Sequence, residues 1–493
     1  MTRTVALSRL FFGHRGDLTL TFQAFIPPTT RTVALCWLLL VAGCQRNENE
    51  VVAVPKSTRS RVAEPPPTSV AEPPIASEVS ADDAGDVRVP PSNEAPFFLT
   101  RTDEALLRED IQAAGQAIRQ AVSLQPDNPQ IVFTMALVLA REHRFPEAVR
   151  MLDKLSQKVP ETRLPGLGQT AEWLVVQGKW KEAESRFRSV LKEAPDAAIA
   201  HRQLAQLLLR EGRRLEAARS LLALCRLGNV EEIELRALLS HVDPFAADLA
   251  RESLEPIGPL GQARQAISDR EWDRAANLLL ASDPRTTEES ALLGRVYAGR
   301  GDIAFLESWA NEYPGADLPV QDAWFARGVL AANQSDHELA VQHFCRAVVL
   351  DPADEQAYER MALSLTSLGR LAQAEQARQR ALWLAETREI GNQMATSDRR
   401  DIAQIKRLSD LLDQLRRPFE SLSWQAVGIA YRRSELTADQ QQAQLSDINR
   451  RRVRRIDTVQ TSLDEDFLCC GVKLATIDPT IPITTESIQS GKE

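Results

Sequence analysis

The sequence predicts an all-α protein built as one long stack of helix hairpins, a solenoid, and three observations predict it. The first is vocabulary. Ala, Leu, Arg, Gln and Glu dominate from residue 100 onward, while aromatic residues make up 5% of the chain; the dominant types are among those that lose least on entering a helix. The second is a period. FPEAVRMLDKLSQKVP, WKEAESRFRSVLKEAP, RLEAARSLLALCRLGN, HELAVQHFCRAVVLDP and LAQAEQARQRALWLAE align without gaps and place Ala at 148, 183, 217, 340 and 374, so adjacent units lie 34 or 35 residues apart. The third is punctuation. Pro126, Pro160, Pro195 and Pro352 close four units, because proline cannot continue a helix. Self-similarity at this period signals stacked supersecondary units. It replaces the estimate of about three domains that the length alone suggests.

Residues 1–44 read as a signal region. Arg31 precedes an apolar run from Val33 to Gly43, too short to span a bilayer as a helix but right for the core of a secretory signal. The run ends in Val41-Ala42-Gly43-Cys44, which resembles the bacterial lipoprotein signal. That resemblance implies that the Cys44 thiol receives a diacylglyceryl group and that cleavage makes it the first residue of the mature chain. The implied location is the cell envelope, membrane-anchored and facing the periplasm; the alternative is an ordinary signal peptide and secretion to the periplasm. Thirty residues precede Arg31, and TRTVAL occurs at both Thr2 and Thr30, as a start codon assigned too far upstream would leave them. Residues 45–96 contain Pro65-Pro66-Pro67, Pro73-Pro74 and Pro90-Pro91, and read as a disordered tether. In polyproline form, at ~3.1 Å per residue, it would reach roughly 150 Å.

Residues 97–386 carry the repeats. One unit reads Leu293-Gly294-x-x-Tyr297-x-x-x-Gly301; another runs Trp324, Gly328, Ala340, Phe344, Ala347, Pro352. These spacings resemble the tetratricopeptide repeat, in which two antiparallel helices form a hairpin and hairpins stack. The resemblance implies a right-handed superhelical solenoid whose concave face is lined by the first helix of each hairpin. Where the two helices would cross most closely the sequence holds Ala136, Ala171, Ala205, Gly294, Gly328 and Ala362; Leu139, Leu208, Leu152 and Leu221 are expected to fill the core around them. Some units are weaker. Glu231–Pro256 reads as a shortened hairpin broken at Val242-Asp243-Pro244, Gly261–Pro284 keeps Ala275, and the unit after Gly301 has Leu306 where Ala is expected. After Ala374 the period slips by about 13 residues. Residues 387–433 then form a divergent terminal hairpin, with the stripe Ile405, Leu408, Leu412, Leu415 facing RRPFESLSWQAVGIAYR. About nine units result, and each is expected to contact only its neighbours.

Residues 434–493 change character. NRRRVRRI at Asn449 reads as a solvated helix face, with an anionic membrane surface or nucleic acid as alternatives. The net charge of −9 gives no general pull toward nucleic acid, and no such partner is expected. The last thirty residues read as disordered. Six cysteines, at 36, 44, 225, 345, 469 and 470, form no paired framework. The vicinal pair Cys469-Cys470 reads as incidental thiols in a polar tail, with a redox role as the alternative.

DHELAVQHFC, Asp336 to Cys345, imitates the start of a zinc site. HExxH works because two His four residues apart share one helical face, and the fourth residue after His337 is Val341. His343 lies about 120° further round, and Cys345 about 160° from His343. The stretch is therefore read as the second helix of a hairpin, with Ala340, Phe344 and Ala347 facing the stack and His337, His343 and Cys345 between. The chain holds no Walker loop, dinucleotide glycine pattern or nucleophile elbow, and no metal or cofactor is expected. The expected function is a non-catalytic scaffold for protein–protein interaction. Alternatives are a structural subunit of an envelope assembly (outer-membrane protein assembly, pilus or polysaccharide export) and an accessory part of a glycosyltransferase-type enzyme.

The repeat resemblance implies where a protein or peptide partner would lie. Its groove-facing phase picks out Phe133, Arg141, Glu172, Arg202, Gln206 and Arg210. The last three are four apart and are expected to form one exposed row, fit for a carboxylate or an acidic segment; the alternative is a solvated surface ion-paired to neighbouring repeats. The family's carboxylate clamp of Lys and Asn is absent, so chaperone-tail recognition is not expected.

Overall fold

The computed structural model describes residues 95–239, 255–313, 320–396, 401–458 and 464–474, and these form helices with no strand among them. Cys44, the signal region, the Pro-rich tether up to residue 94 and residues 475–493 lie outside the described residues, while Ala95 and Pro96, read as tether, open the first helix. Among those described, no helix is long and apolar enough to cross a membrane.

The chain divides into two units, Met1–Trp173 and Leu174–Glu493. The first holds α1 (Ala95–Leu107), α2 (Ile111–Leu124), α3 (Pro129–Arg141), α4 (Phe145–Lys158) and most of α5 (Arg163–Val176). Asp110 caps α2 by accepting from Ala113 N, and Asn128 caps α3 from Gln130 N; each satisfies an amide that would otherwise be orphaned. Pro129 and Pro146 stand in the first turns of α3 and α4, where the missing N–H costs nothing. Ala136, Leu139, Ala148, Leu152 and Leu155 form the core between α3 and α4.

The second unit continues with α6 (Trp180–Glu193), α7 (Ala198–Arg210), α8 (Arg214–Leu227), α9 (Glu232–Leu239), α10 (Gly258–Ser268), α11 (Trp272–Leu280), α12 (Thr287–Arg300) and α13 (Ile303–Glu312). Then come α14 (Gln321–Asn333), α15 (His337–Leu350), α16 (Glu355–Ser367), α17 (Leu371–Thr396), α18 (Ile402–Gln414), α19 (Pro418–Tyr431), α20 (Ala438–Thr458) and α21 (Glu465–Leu468).

A positive φ marks the turn between the two helices of a hairpin. It falls at Glu109, His143, Gly212, Arg270, Gly301, Ser335, Gly369 and Arg416, each between two helices that pack on one another, which identifies eight hairpins among the described residues. The crossing positions explain the small residues. A Cβ on Gly328 would meet the Phe344 ring at 2.5 Å, and one on Gly294 would run into the Trp309 indole. Trp309 in turn donates from Nε1 to Ser290 O at 2.7 Å, so the ring's position is fixed at both ends. Leu306, in place of Ala, is fully buried. The period slip has its cause in α17, which runs 26 residues where α15 and α19 run 14.

Three features depart from the sequence reading. Hairpins in the second unit do not contact only their neighbours: α8 packs on α19, and α9 packs on both α17 and α19. Arg417 Nη2 donates to Leu238 O at 2.7 Å, Arg226 lies over the Phe419 ring, and buried Arg214 pairs with buried Asp351 at 2.7 Å. Second, part of the last thirty residues is ordered. Residues 464–474, including α21, pack on α15, and Leu468, Cys469, Cys470 and Val472 are buried. Third, α15 is covered on opposite faces: Cys345 lies under residues 464–474 and His343 against Trp324 of α14. His343 and Cys345, read as lying between, are therefore buried with Ala340, Phe344 and Ala347.

Candidate partner-binding surface

The six predicted groove residues divide between the units. On α3, Phe133 is half-buried against the α3–α4 core, and Arg141 is exposed in the last turn. Glu172 on α5 is half-buried and accepts from Gln169 Nε2 at 3.1 Å. Burial pushes its carboxyl up to about 7, against the downward pull of that amide.

On α7 the expected exposed row is half-buried instead. The Arg202 side chain is 13% exposed and donates from Nε to Glu234 Oε1 at 2.6 Å. Its Nη2 reaches Asn229 O at 2.9 Å and Asn229 Oδ1 at 3.2 Å. Burial alone would lower its pKa, but Glu234 reverses this and holds the guanidinium charged. Arg202 is thus bound into α9 and the turn before it. The physical reason is the packing of α9 beside α8, which brings Glu234 to a side chain that an open stack would leave in water.

At the other end of the row the chain returns over the C-terminus of α7. Ile257 N donates to Arg210 O at 2.7 Å, and Arg210 Nε donates to Glu255 O at 2.9 Å. The Arg210 guanidinium lies 5.1 Å from the Trp180 ring centroid, a cation–π arrangement. Gln206 sits between the two arginines, half-buried, with no side-chain partner among the described residues. The row therefore splits: Arg202 is structural, while Gln206 and Arg210 above Trp180 keep bonding capacity.

Further along, the first helices carry a charge network that the sequence reading missed. Arg264 of α10 reaches Asp322 Oδ2 of α14 at 2.7 Å. Arg295 of α12 reaches Asp322 Oδ1 at 3.3 Å and clasps Asp354 at 2.6 and 2.9 Å. The Arg295 guanidinium also lies 4.1 Å from the Phe325 ring centroid. Burial would pull its pKa down, and Asp354 and Asp322 raise it above the ordinary value. A signal existed: Arg295 directly follows a small crossing residue, Gly294. With this network in place α12 and α14 are buried on nearly every side, so these hairpins present no open first-helix face.

The zinc-like stretch is packed into its hairpin. His343 lies 5.3 Å, ring to ring, from Trp324. Burial, with Arg327 and Arg346 nearby, pushes its imidazole down to about 3. Among the described residues no group of three or more His, Cys, Asp or Glu is placed to hold a metal ion.

The family model described as tetratricopeptide repeat matches residues 171–230. The chain is similar to the photosystem I assembly protein Ycf3 of Cuscuta gronovii and of Cuscuta obtusiflora, at 26% identity over 113 residues in each case, which is 21% of this chain and 67% of the relative. Among solved structures it is similar to a tetratricopeptide repeat protein from Parabacteroides merdae, at 15% identity, covering 55% of this chain and 98% of that one with a TM-score of 0.25. It is also similar to the TPR2AB domain of yeast Sti1 solved with a pHSP90 partner, at 13% identity, covering 66% and 98% with a TM-score of 0.27.

Proposed function

Because this is a tetratricopeptide-repeat protein, we propose that it serves as a non-catalytic scaffold holding a protein partner at the bacterial cell envelope, tethered through lipid on Cys44 and facing the periplasm. Stacked hairpins of this family are protein-interaction scaffolds; the envelope setting rests on the Val41-Ala42-Gly43-Cys44 motif and the apolar run before it.

The observation that carries the binding site is the Gln206–Arg210 pair on α7. A guanidinium stacked on Trp180, with an amide one turn away, suits a carboxylate-bearing peptide segment. Arg202 is already held through Nε and Nη2 by Glu234 and Asn229. The test is capture of partners by detergent-solubilised protein carrying Arg210→Glu with Gln206→Ala. Wild-type chain should retain partners that the variant releases, with thermal stability changed little. Unchanged capture by a folded variant would remove α7 as the site. Cys44→Ser tests the tether: it should abolish fatty-acid labelling and move the protein out of the membrane fraction, and retention there by an unlabelled chain counts against lipid anchoring.

A further inference from the structure

Residues 464–474 are seated against the second helices of two successive hairpins. The Phe467 ring lies between the guanidinium groups of Arg380 and Arg416, 4.2 and 4.1 Å from its centroid. Gln373 Nε2 donates to Gly471 O and Gln342 Nε2 to Lys473 O, each at 3.0 Å. Three free thiols meet under this seat, all buried. Cys469 Sγ lies 3.9 Å from the carbonyl oxygen of Cys345. Cys470 turns away and accepts from Arg380 Nη1. The other sulfur neighbour of Cys345 is Met361 Sδ at 3.6 Å.

We infer that Cys345 and Cys469 form a redox latch, a disulfide made by exchange with a small-molecule disulfide or a dithiol–disulfide exchange protein, which ties the C-terminal segment to α15. The two residues are 124 apart in sequence, so the bond would close a long loop, the case in which a cross-link restricts the unfolded chain most. Both thiols are fully buried, so an oxidant reaches them only when residues 464–474 lift. What holds the segment down is two amide–carbonyl bonds, the Arg380–Cys470 hydrogen bond, the exposed Arg416–Asp464 ion pair at 3.3 Å, one cation–π sandwich and four buried side chains, a far smaller contact than that of a hairpin in the stack.

The chemistry balances within that opening. Cys469 loses its proton, and the thiolate attacks one sulfur of the oxidant's disulfide, giving a mixed disulfide and one leaving thiolate. Cys345, deprotonated in turn, attacks Cys469 Sγ and expels the second thiolate. The two protons from the protein end on the oxidant's two sulfurs, and the oxidant gains the two electrons the cysteines give up. Dithiothreitol runs the exchange backwards.

The test uses the full chain, treated either with oxidised glutathione or with dithiothreitol, then digested under non-reducing conditions for mass spectrometry. The expected result is a Cys345–Cys469 cross-linked peptide, lost in Cys345→Ser and Cys469→Ser and kept in Cys470→Ser and Cys225→Ser. Amide exchange over 464–474 should slow roughly tenfold on oxidation and recover on reduction. Glutathione adducts on Cys469 without the cross-link, or a Cys469–Cys470 bond in its place, would overturn the latch. So would the absence of any modification both in the wild type and in Phe467→Ala, where the seat is loosened.

Discussion

At Gly328 a single hydrogen atom decides how closely α14 and α15 approach, since the Phe344 ring already occupies the space a methyl group would need. Gly328→Ala should therefore destabilise the second unit by about 1–3 kcal/mol through overpacking, despite the better intrinsic helix propensity of Ala. A lowered urea midpoint with an unchanged slope is the expected reading; an unchanged midpoint would mean the hairpin relaxes at no cost. His343 supplies a second test. Its folded pKa is depressed to about 3, whereas an unfolded imidazole titrates near 6.5. The unfolded chain thus binds a proton the folded chain refuses. The stability due to His343 is fully present above about pH 6.5 and falls away as pH drops toward 3, by about 1.4 kcal/mol per pH unit. His343→Phe should flatten that part of the stability profile between pH 6 and pH 4, roughly, and a profile identical to the wild type would show that the imidazole stays out of the titration.

Between elements, α7 and α9 show how a charged row becomes a joint. Arg202 and Glu234 are both largely shielded, at 13% and 6% exposure of their side chains. Arg202→Glu should therefore cost roughly 3 kcal/mol or more by leaving Glu234 buried and facing a like charge, while Arg210→Glu, whose partner is a backbone carbonyl, should cost far less; melting temperatures of the two variants separate these outcomes. The hairpins themselves were legible because many of them share local rules: small at the crossing, Ala in the second helix, Pro at the close. The fate of the α7 row was not, because it depends on α9, whose sequence matches the repeat poorly. The seat of residues 464–474 was hidden for a similar reason. Its polar surroundings in sequence say disorder, and only Phe467, Leu468 and Val472 in register with α15 and α17 say otherwise.

On the scale of the second unit, the periodic pattern gave the stack but not its return on itself, since a repeat encodes the contact between successive hairpins and nothing about distant ones. The return rests on particular side chains. Arg417 binds Leu238 O and also pairs with Glu420, whose side chain is 4% exposed. Arg417→Ala removes both links and leaves a buried carboxylate alone, at a cost of about 3 kcal/mol. Amide exchange should then rise in α9 and α19 together, although some 180 residues separate them; faster exchange confined to α18 and α19 would instead describe an open array. That return has a consequence for how the usual freedom of a repeat array to vary is restricted here. An open array accepts one more hairpin or one fewer, because every internal junction looks like every other. Where α8 and α9 must meet α17 and α19, each hairpin between them sets the angle at which the far ones arrive. Adding or deleting a single 34-residue unit in that interval would turn Arg417 away from Leu238 and Arg214 away from Asp351. The number of repeats from α10 to α17 is in this sense counted by the molecule, and duplication, the ordinary route by which such arrays lengthen, is open to this chain only outside that interval.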